Sequence, residues 1–168
     1  MHRYLLRAIG TFLLAFLLVT SHGLAMEATP AATPAPVVRE VINEGQPDTA
    51  PGQVLQLVRY VIPANMILPI HIHPGMQIAM VESGTLHYTV VDGSLTYARA
   101  NGDPGVLRAG EEIDFQPGDS LVEARGMVHF GENRTDEPVV LLVASLFDID
   151  VPPSSIVVVA SPVASPAP

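Results

Sequence analysis

The chain has 168 residues, a formal net charge of −9, no Lys and no Cys. A binder of phosphate backbones needs a basic patch, so a nucleic-acid partner is not expected, and neither is a polybasic membrane surface. Without Cys there is no disulfide framework, no thiolate metal site and no Cys nucleophile.

Met1–Arg7 supplies a short positive segment, and the run from Ala8 to Thr20 is apolar apart from two Thr. That run is shorter than the about 18–20 residues a membrane span needs. Gly23 and Ala25 are small residues placed for a cleavage site, so residues 1–25 predict an export signal cut after Ala25. The alternative is an uncleaved signal anchor, because Leu5 and Leu6 lengthen the apolar run. The expected location is periplasmic, cell-surface or extracellular, with no membrane contact once the signal is gone. Residues 26–37, rich in Pro, Ala and Thr, predict an extended linker. Residues 153–168, rich in Ser, Pro and Ala, predict a disordered tail. Between them, 38–152 is left as one domain of about 110 residues, enough for one hydrophobic core.

From Val37 the pattern changes to short β-type runs broken by turn residues. Gln53–Ile62 is rich in β-branched residues and is ended by Pro63. Gln77–Glu82 is a second run, closed by Ser83-Gly84. Thr85–Val91 and Ser94–Ala100 flank Asp92-Gly93, a pair that predicts a hairpin, since both turn positions need positive φ. Asn101–Gly105 and Pro117–Asp119 are further turns. Val139–Phe147 is long and apolar enough for a strand buried on both faces, and Ile156–Val159 offers a last edge strand. No core segment carries sustained helical periodicity, so the expected class is all-β, a sandwich or barrel.

Four His follow the signal: His71, His73, His87 and His129. On a strand, residues i and i+2 share a face, so His71-Ile72-His73 projects two imidazoles together, within reach of one metal ion. Gln77 shares that parity if Pro74-Gly75 does not turn the chain. His129 occupies a strand-like position, Val128-His129-Phe130, and His87, without a partner, reads as an ordinary strand residue. Glu82 and Glu123 read as solvated charges. Met66, Leu68, Met80, Tyr88, Phe115 and Phe130 are candidates by type to line a cavity.

His71-x-His73-x-x-x-Gln77-x6-Gly84 resembles the first motif of the cupin superfamily, in which Glu usually stands at the place of Gln77. Gly118-x5-Ala124-x-Gly126-x-x-His129-x-x-x-Asn133 resembles the second, in which Pro usually stands at the place of Ala124. Asn65 stands where the first motif often begins with Gly. The resemblance spans residues 39–150 and implies a single-domain jelly-roll β-barrel of the type-2 cupin kind. It also implies a metal site of His71, His73, Gln77 and His129. An amide in place of a carboxylate leaves a divalent ion its full charge, which weakens binding and sharpens Lewis acidity. Imidazole and oxygen ligands suit Fe, Mn, Ni, Cu or Zn.

Fold does not decide function. The first reading is an exported metal-dependent enzyme, oxygenase-like, acting on a small organic substrate. The second is a non-catalytic module that binds a metal or small ligand. The third is a structural barrel that forms a homodimer through sheet faces, the Val139–Phe147 or Ile156–Val159 run serving as contact.

Overall fold

A computed structural model describes residues 35–158. The signal, nearly all of the linker and the tail beyond residue 158 lie outside the described residues. The strands in chain order begin with β1 (Val38–Gly45), β2 (Gln53–Ile62), β3 (Met66–Ile67) and β4 (His71–Ile72). They continue with β5 (Met76–Ser83), β6 (Leu86–Asp92), β7 (Ser94–Ala98), β8 (Pro104–Arg108) and β9 (Glu112–Phe115). The last are β10 (Ser120–Glu123), β11 (Val128–Asn133), β12 (Val139–Asp148) and β13 (Ser155–Ile156). No helix is present among the described residues.

Two antiparallel sheets form a jelly roll. The larger has seven strands in the order β1-β2-β12-β5-β10-β7-β8. The smaller has six strands, five in the order β13-β4-β11-β6-β9 and β3 paired beside them on β11. Strand periodicity of two turns one side chain in every pair inward: Val81, Leu86, Tyr88, Val90, Leu121, Val139 and Val143 are buried between the sheets.

Most expected runs form strands with shifts of a residue or two at their ends. Three expectations change. Asp92-Gly93 is not a hairpin, because β6 belongs to the small sheet and β7 to the large one. Gly93, at φ +91, makes the corner between sheets, packed against Met127. The hairpin of this region is β7–β8, closed by the Asn101 cluster, where Arg99 N–H donates to Asp103 C=O at 2.8 Å. The chain also crosses between sheets at Pro74-Gly75, so Gln77 is not in one strand with His71 and His73. Finally, β12 is hydrogen-bonded on both edges, to β2 and β5, but buries one face only: Val139, Val143, Ser145 and Phe147 point inward while Ala144 is exposed. The last edge strand forms as β13, paired with β4 over Ile156 and His71.

β1 has no counterpart among the segments singled out in the sequence. Every one of its residues is exposed, so it carries no burial pattern, and its register on β2 supplies its order. Asn65 adopts φ +55, the left-handed region that Gly often supplies at this point and that Asn tolerates better than other side chains. Asn133 at the end of the second motif is structural. Its amide donates to the carbonyls of Ile62, Pro63 and Glu137 and ties the end of β2 to the turn after β11.

Candidate metal centre

Register builds the site. His71 on β4 pairs with His129 on β11 in the small sheet. Gln77 on β5 pairs with Glu123 on β10 in the large sheet, and Ser145 of β12 is the partner of Gln77 on its other side. Directly opposed residues hold their Cβ atoms about 4.5–5.5 Å apart. The two cross-strand pairs, one from each sheet, meet at His129 and Glu123, and His73, in the segment that links the sheets, lies against Glu123. A register shift at Val128/His129 re-aims β11 where His129 turns inward.

The three imidazoles converge. Ring centroids lie 4.9 Å (His71–His73), 4.3 Å (His71–His129) and 5.2 Å (His73–His129) apart. Each offers one ring nitrogen, and these three atoms lie within 4.8 Å of one another. Their orientation is held from behind. Nδ1 of His71 bonds the carbonyl of Pro69 (2.8 Å), Nδ1 of His73 that of Pro153 (2.7 Å) and Nδ1 of His129 that of Met127 (3.1 Å). A carbonyl only accepts, so each Nδ1 carries the proton and each Nε2 keeps a lone pair. Main-chain partners of this kind are how proteins orient metal-binding imidazoles. Phe147 stacks on His73 at 5.7 Å and Tyr88 on His129 at 5.3 Å, which fixes two of the ring planes.

Glu123, read from the sequence as a solvated charge, is buried at the centre of this group. Its Oε1 accepts from the Tyr88 hydroxyl at 2.7 Å, and its Oε2 accepts from the Gln77 amide. Oε2 also lies 3.3 Å from Nε2 of His73, and Oε1 lies 3.4 Å from Nε2 of His129. The Gln77 amide N–H lies 3.0 Å from His73 Nε2, donating to that lone pair. The local sequence does carry a signal for Glu123: in Ser120-Leu121-Val122-Glu123 it has the same parity as Leu121, which is core. Glu82 does behave as a surface charge and pairs with Arg59 at 3.0 Å. His87 lies outside the site. It is buried and has partners after all, Asp114 at 2.7 Å and Glu112 at 3.3 Å.

Electrostatics follow from burial and these neighbours. Burial, then the adjacent His129, pushes His71 down to about 4, so its imidazole is neutral near pH 7. Burial also pushes the Tyr88 hydroxyl well up, with the Glu123 charge adding to it, so Tyr88 stays a donor. Burial alone would raise the Glu123 carboxyl. The neighbouring His129 and His73, when charged, and the Tyr88 hydroxyl outweigh it and hold Glu123 below the ordinary carboxylate range.

The site forms one wall of a cavity of about 300 Å³. Apolar side chains, among them Ile62, Leu68, Leu121, Leu141 and Val143, line the rest. Of the residues expected by type, Leu68 and Tyr88 line it. Met80 points outward from the large sheet, Phe115 is packed in the core behind Tyr88, Met66 lies against the core, and Phe130 alternates with His129 onto the outer face. Three converging imidazoles beside a carboxylate fit a divalent transition metal.

The structure is similar to a cupin superfamily protein of Desulfitobacterium hafniense (15% identity, 70% of this chain and 83% of that one, TM-score 0.46). It is similar to KdgF from a Halomonas species (19% identity, 65% and 79%, TM-score 0.44). It is also similar to a cupin 2 conserved barrel domain protein from Leptotrichia buccalis (18% identity, 71% and 43%, TM-score 0.42). No protein of curated function matches the sequence. The family model of the cupin domain matches residues 58–145, about half of the chain, and includes every residue of the triad. This chain belongs to the cupin domain family.

Proposed function

We propose that this chain is an exported, metal-dependent cupin enzyme whose barrel takes a small, largely apolar organic substrate. The observation that carries the reading is the convergence of three imidazoles, one ring nitrogen of each within 4.8 Å of the others, on one wall of an apolar cavity. His71, His73 and His129 would hold the ion, drawn from Fe, Mn, Ni, Cu or Zn, with Gln77 at its edge. Bound there, the ion supplies Lewis acidity and open positions for a small ligand. The chain's own residues do the rest. The main-chain carbonyls keep the rings in one tautomer, Tyr88 and Glu123 hold a proton between them at the cavity wall, and the aliphatic lining excludes water from the substrate. An oxygen-dependent oxidation is the reaction class most in keeping with three His and open positions. Export rests on the leader alone. It requires that the mature N-terminus be Met26, which N-terminal sequencing of the secreted protein checks.

Metal analysis and an oxygen-uptake screen test the reading together. Purified mature protein should retain about one ion per chain when refolded with at least one of the five metals. It should consume oxygen with a member of a panel of small phenols, thiols and diketones. Less than about 0.2 ion per chain with every metal overturns the metal site. Full metal without uptake favours a second reading, a binding module that holds a metal or small ligand without turnover. One observation favours that reading: Glu123 and Tyr88 are committed to hydrogen bonds with each other and with Gln77, which leaves no unengaged base in the cavity. Self-association is proposed through the outer face of the large sheet, where Leu55, Leu57, Met76 and Ile78 are exposed side by side.

A further inference from the structure

We propose that Glu123 is the anionic metal ligand of this barrel and that Gln77 is the residue that positions it. The proposal rests on the metal reading above and adds to it the source of the site's negative charge. The first motif carries Gln at the position where the charge would be sought, and an amide brings none. The residue directly opposite Gln77 in the antiparallel register is Glu123. A cross-strand neighbour can place its carboxylate in the volume that a Glu on β5 would reach, because the two Cβ atoms stand about 4.5–5.5 Å apart on one face.

Three observations support the exchange. First, the carboxylate stands 3.3 Å and 3.4 Å from the Nε2 atoms of His73 and His129, on the side that carries their lone pairs. Ligands bound at about 2.0–2.2 Å around a tetrahedral ion are roughly 3.3–3.6 Å apart. Second, the carboxylate is buried, and among the described residues its only partners of basic type are these two imidazoles; no Arg pairs with it. A buried carboxylate with no Arg partner, set against two imidazoles, is an anion that a bound cation would stabilise. Third, Gln77 turns its amide N–H groups toward both Glu123 Oε2 and His73 Nε2. A donor cannot ligate a cation, but it fixes the carboxylate that does, and its bond to His73 Nε2 is one that a bound ion would replace. With Glu123 included, three neutral imidazoles and one carboxylate leave a divalent ion one net positive charge, the balance that Gln77 alone would not provide.

The test compares Glu123→Gln with the exchanged pair Gln77→Glu/Glu123→Gln in the full mature chain. Affinity for Mn2+ and Zn2+ is read by chelator competition and the fold by circular dichroism. Disturbing an outer partner of a metal site costs about 10–100-fold in affinity. Glu123→Gln should cost more than about 100-fold, and the exchanged pair should recover most of that loss, since it returns one carboxylate to the same face. A loss under about 100-fold in a folded Glu123→Gln variant overturns the proposal and leaves the three-His site standing. Failure of the wild type to bind any metal overturns the earlier reading instead, and this one with it. Should Glu123→Gln not fold, the wild-type crystal soaked in Mn2+ decides. Anomalous density bonded to the Glu123 carboxylate supports the assignment, and density bonded to the Gln77 amide oxygen with Glu123 apart overturns it.

Discussion

Each imidazole of the triad holds a main-chain carbonyl through Nδ1, and one ring nitrogen of each lies within 4.8 Å of the others. Removing one of them should be felt as metal loss before it is felt as unfolding. His129→Ala is expected to lower metal per chain at least about tenfold, measured by elemental analysis on folded protein. Unchanged content would mean that His129 is not a ligand. Gln77→Glu probes the neighbouring pair. It places a second carboxylate directly against Glu123 and removes one of the two donors that Glu123 accepts from. Two adjacent carboxylates cannot both ionise cheaply, so the metal-free variant should lose about 1–3 kcal/mol in thermal or urea unfolding. A bound divalent ion relieves the repulsion, so the metal-induced rise in Tm should exceed that of the wild type. Equal rises in both proteins would place residue 77 away from the ion.

At the scale of elements, the connections between sheets matter as much as the strands. The segment joining β4 to β5 passes so close to β12 that a Cβ on Gly75 would collide with the Leu146 carbonyl. Main chain cannot give way there as a flexible side chain would. Gly75→Ala should therefore destabilise the fold and shift His73, with Tm and metal content falling together. The turn before β10 is held differently. Asp119 accepts from the Gln116 N–H at 2.9 Å, the Ala100 N–H at 2.9 Å and the Arg99 guanidinium at 2.8 Å. Burial alone would raise its carboxyl, but these donors outweigh it and hold it below its ordinary 3.8. A folded value below the unfolded one gives stabilisation that is complete above about pH 4 and is lost as pH falls through the depressed value. Asp119→Asn should cost about 1.5–3 kcal/mol near pH 7 and flatten the acid limb of stability against pH. An acid limb parallel to that of the wild type would exclude this role.

At the scale of the molecule, register lays apolar side chains in rows across the outside of the large sheet. Leu55–Leu146–Met76 and Leu57–Ala144–Ile78 are adjacent rows over β2, β12 and β5. Leu55, Leu57, Met76 and Ile78 are between 37% and 52% exposed, more apolar surface in one panel than scattered exposure explains. A panel of one chemistry can meet its own copy about a two-fold axis, and we propose a second copy as its occupant. Light scattering should show a dimer. Ile78→Glu should return a monomer with unchanged metal content, since Ile78 points away from the cavity. A wild-type monomer at high protein concentration would remove the panel from consideration as a self-interface.

Local pattern was enough for the longer strands β2, β5, β6, β7 and β12, because a period of two and the turn residues act over a few positions, but β1, β8, β9 and β10 were not singled out. The same locality made His71 and His73 readable as neighbours, and the missing Cys limited any metal site to His and oxygen ligands. It could not distinguish the Asp92-Gly93 corner from a hairpin, since the same positive φ serves both. It could not show that β12 leaves one face outward, since an apolar residue covers a panel as readily as a core. The centre itself was decided only by tertiary structure. His71 meets His129, and Gln77 meets Glu123, through pairings between strands far apart in the chain. The register of such strands is set by how two sheets bury their faces against each other, not by any segment alone. For that reason a glutamate with the look of a surface charge stands at the heart of the site.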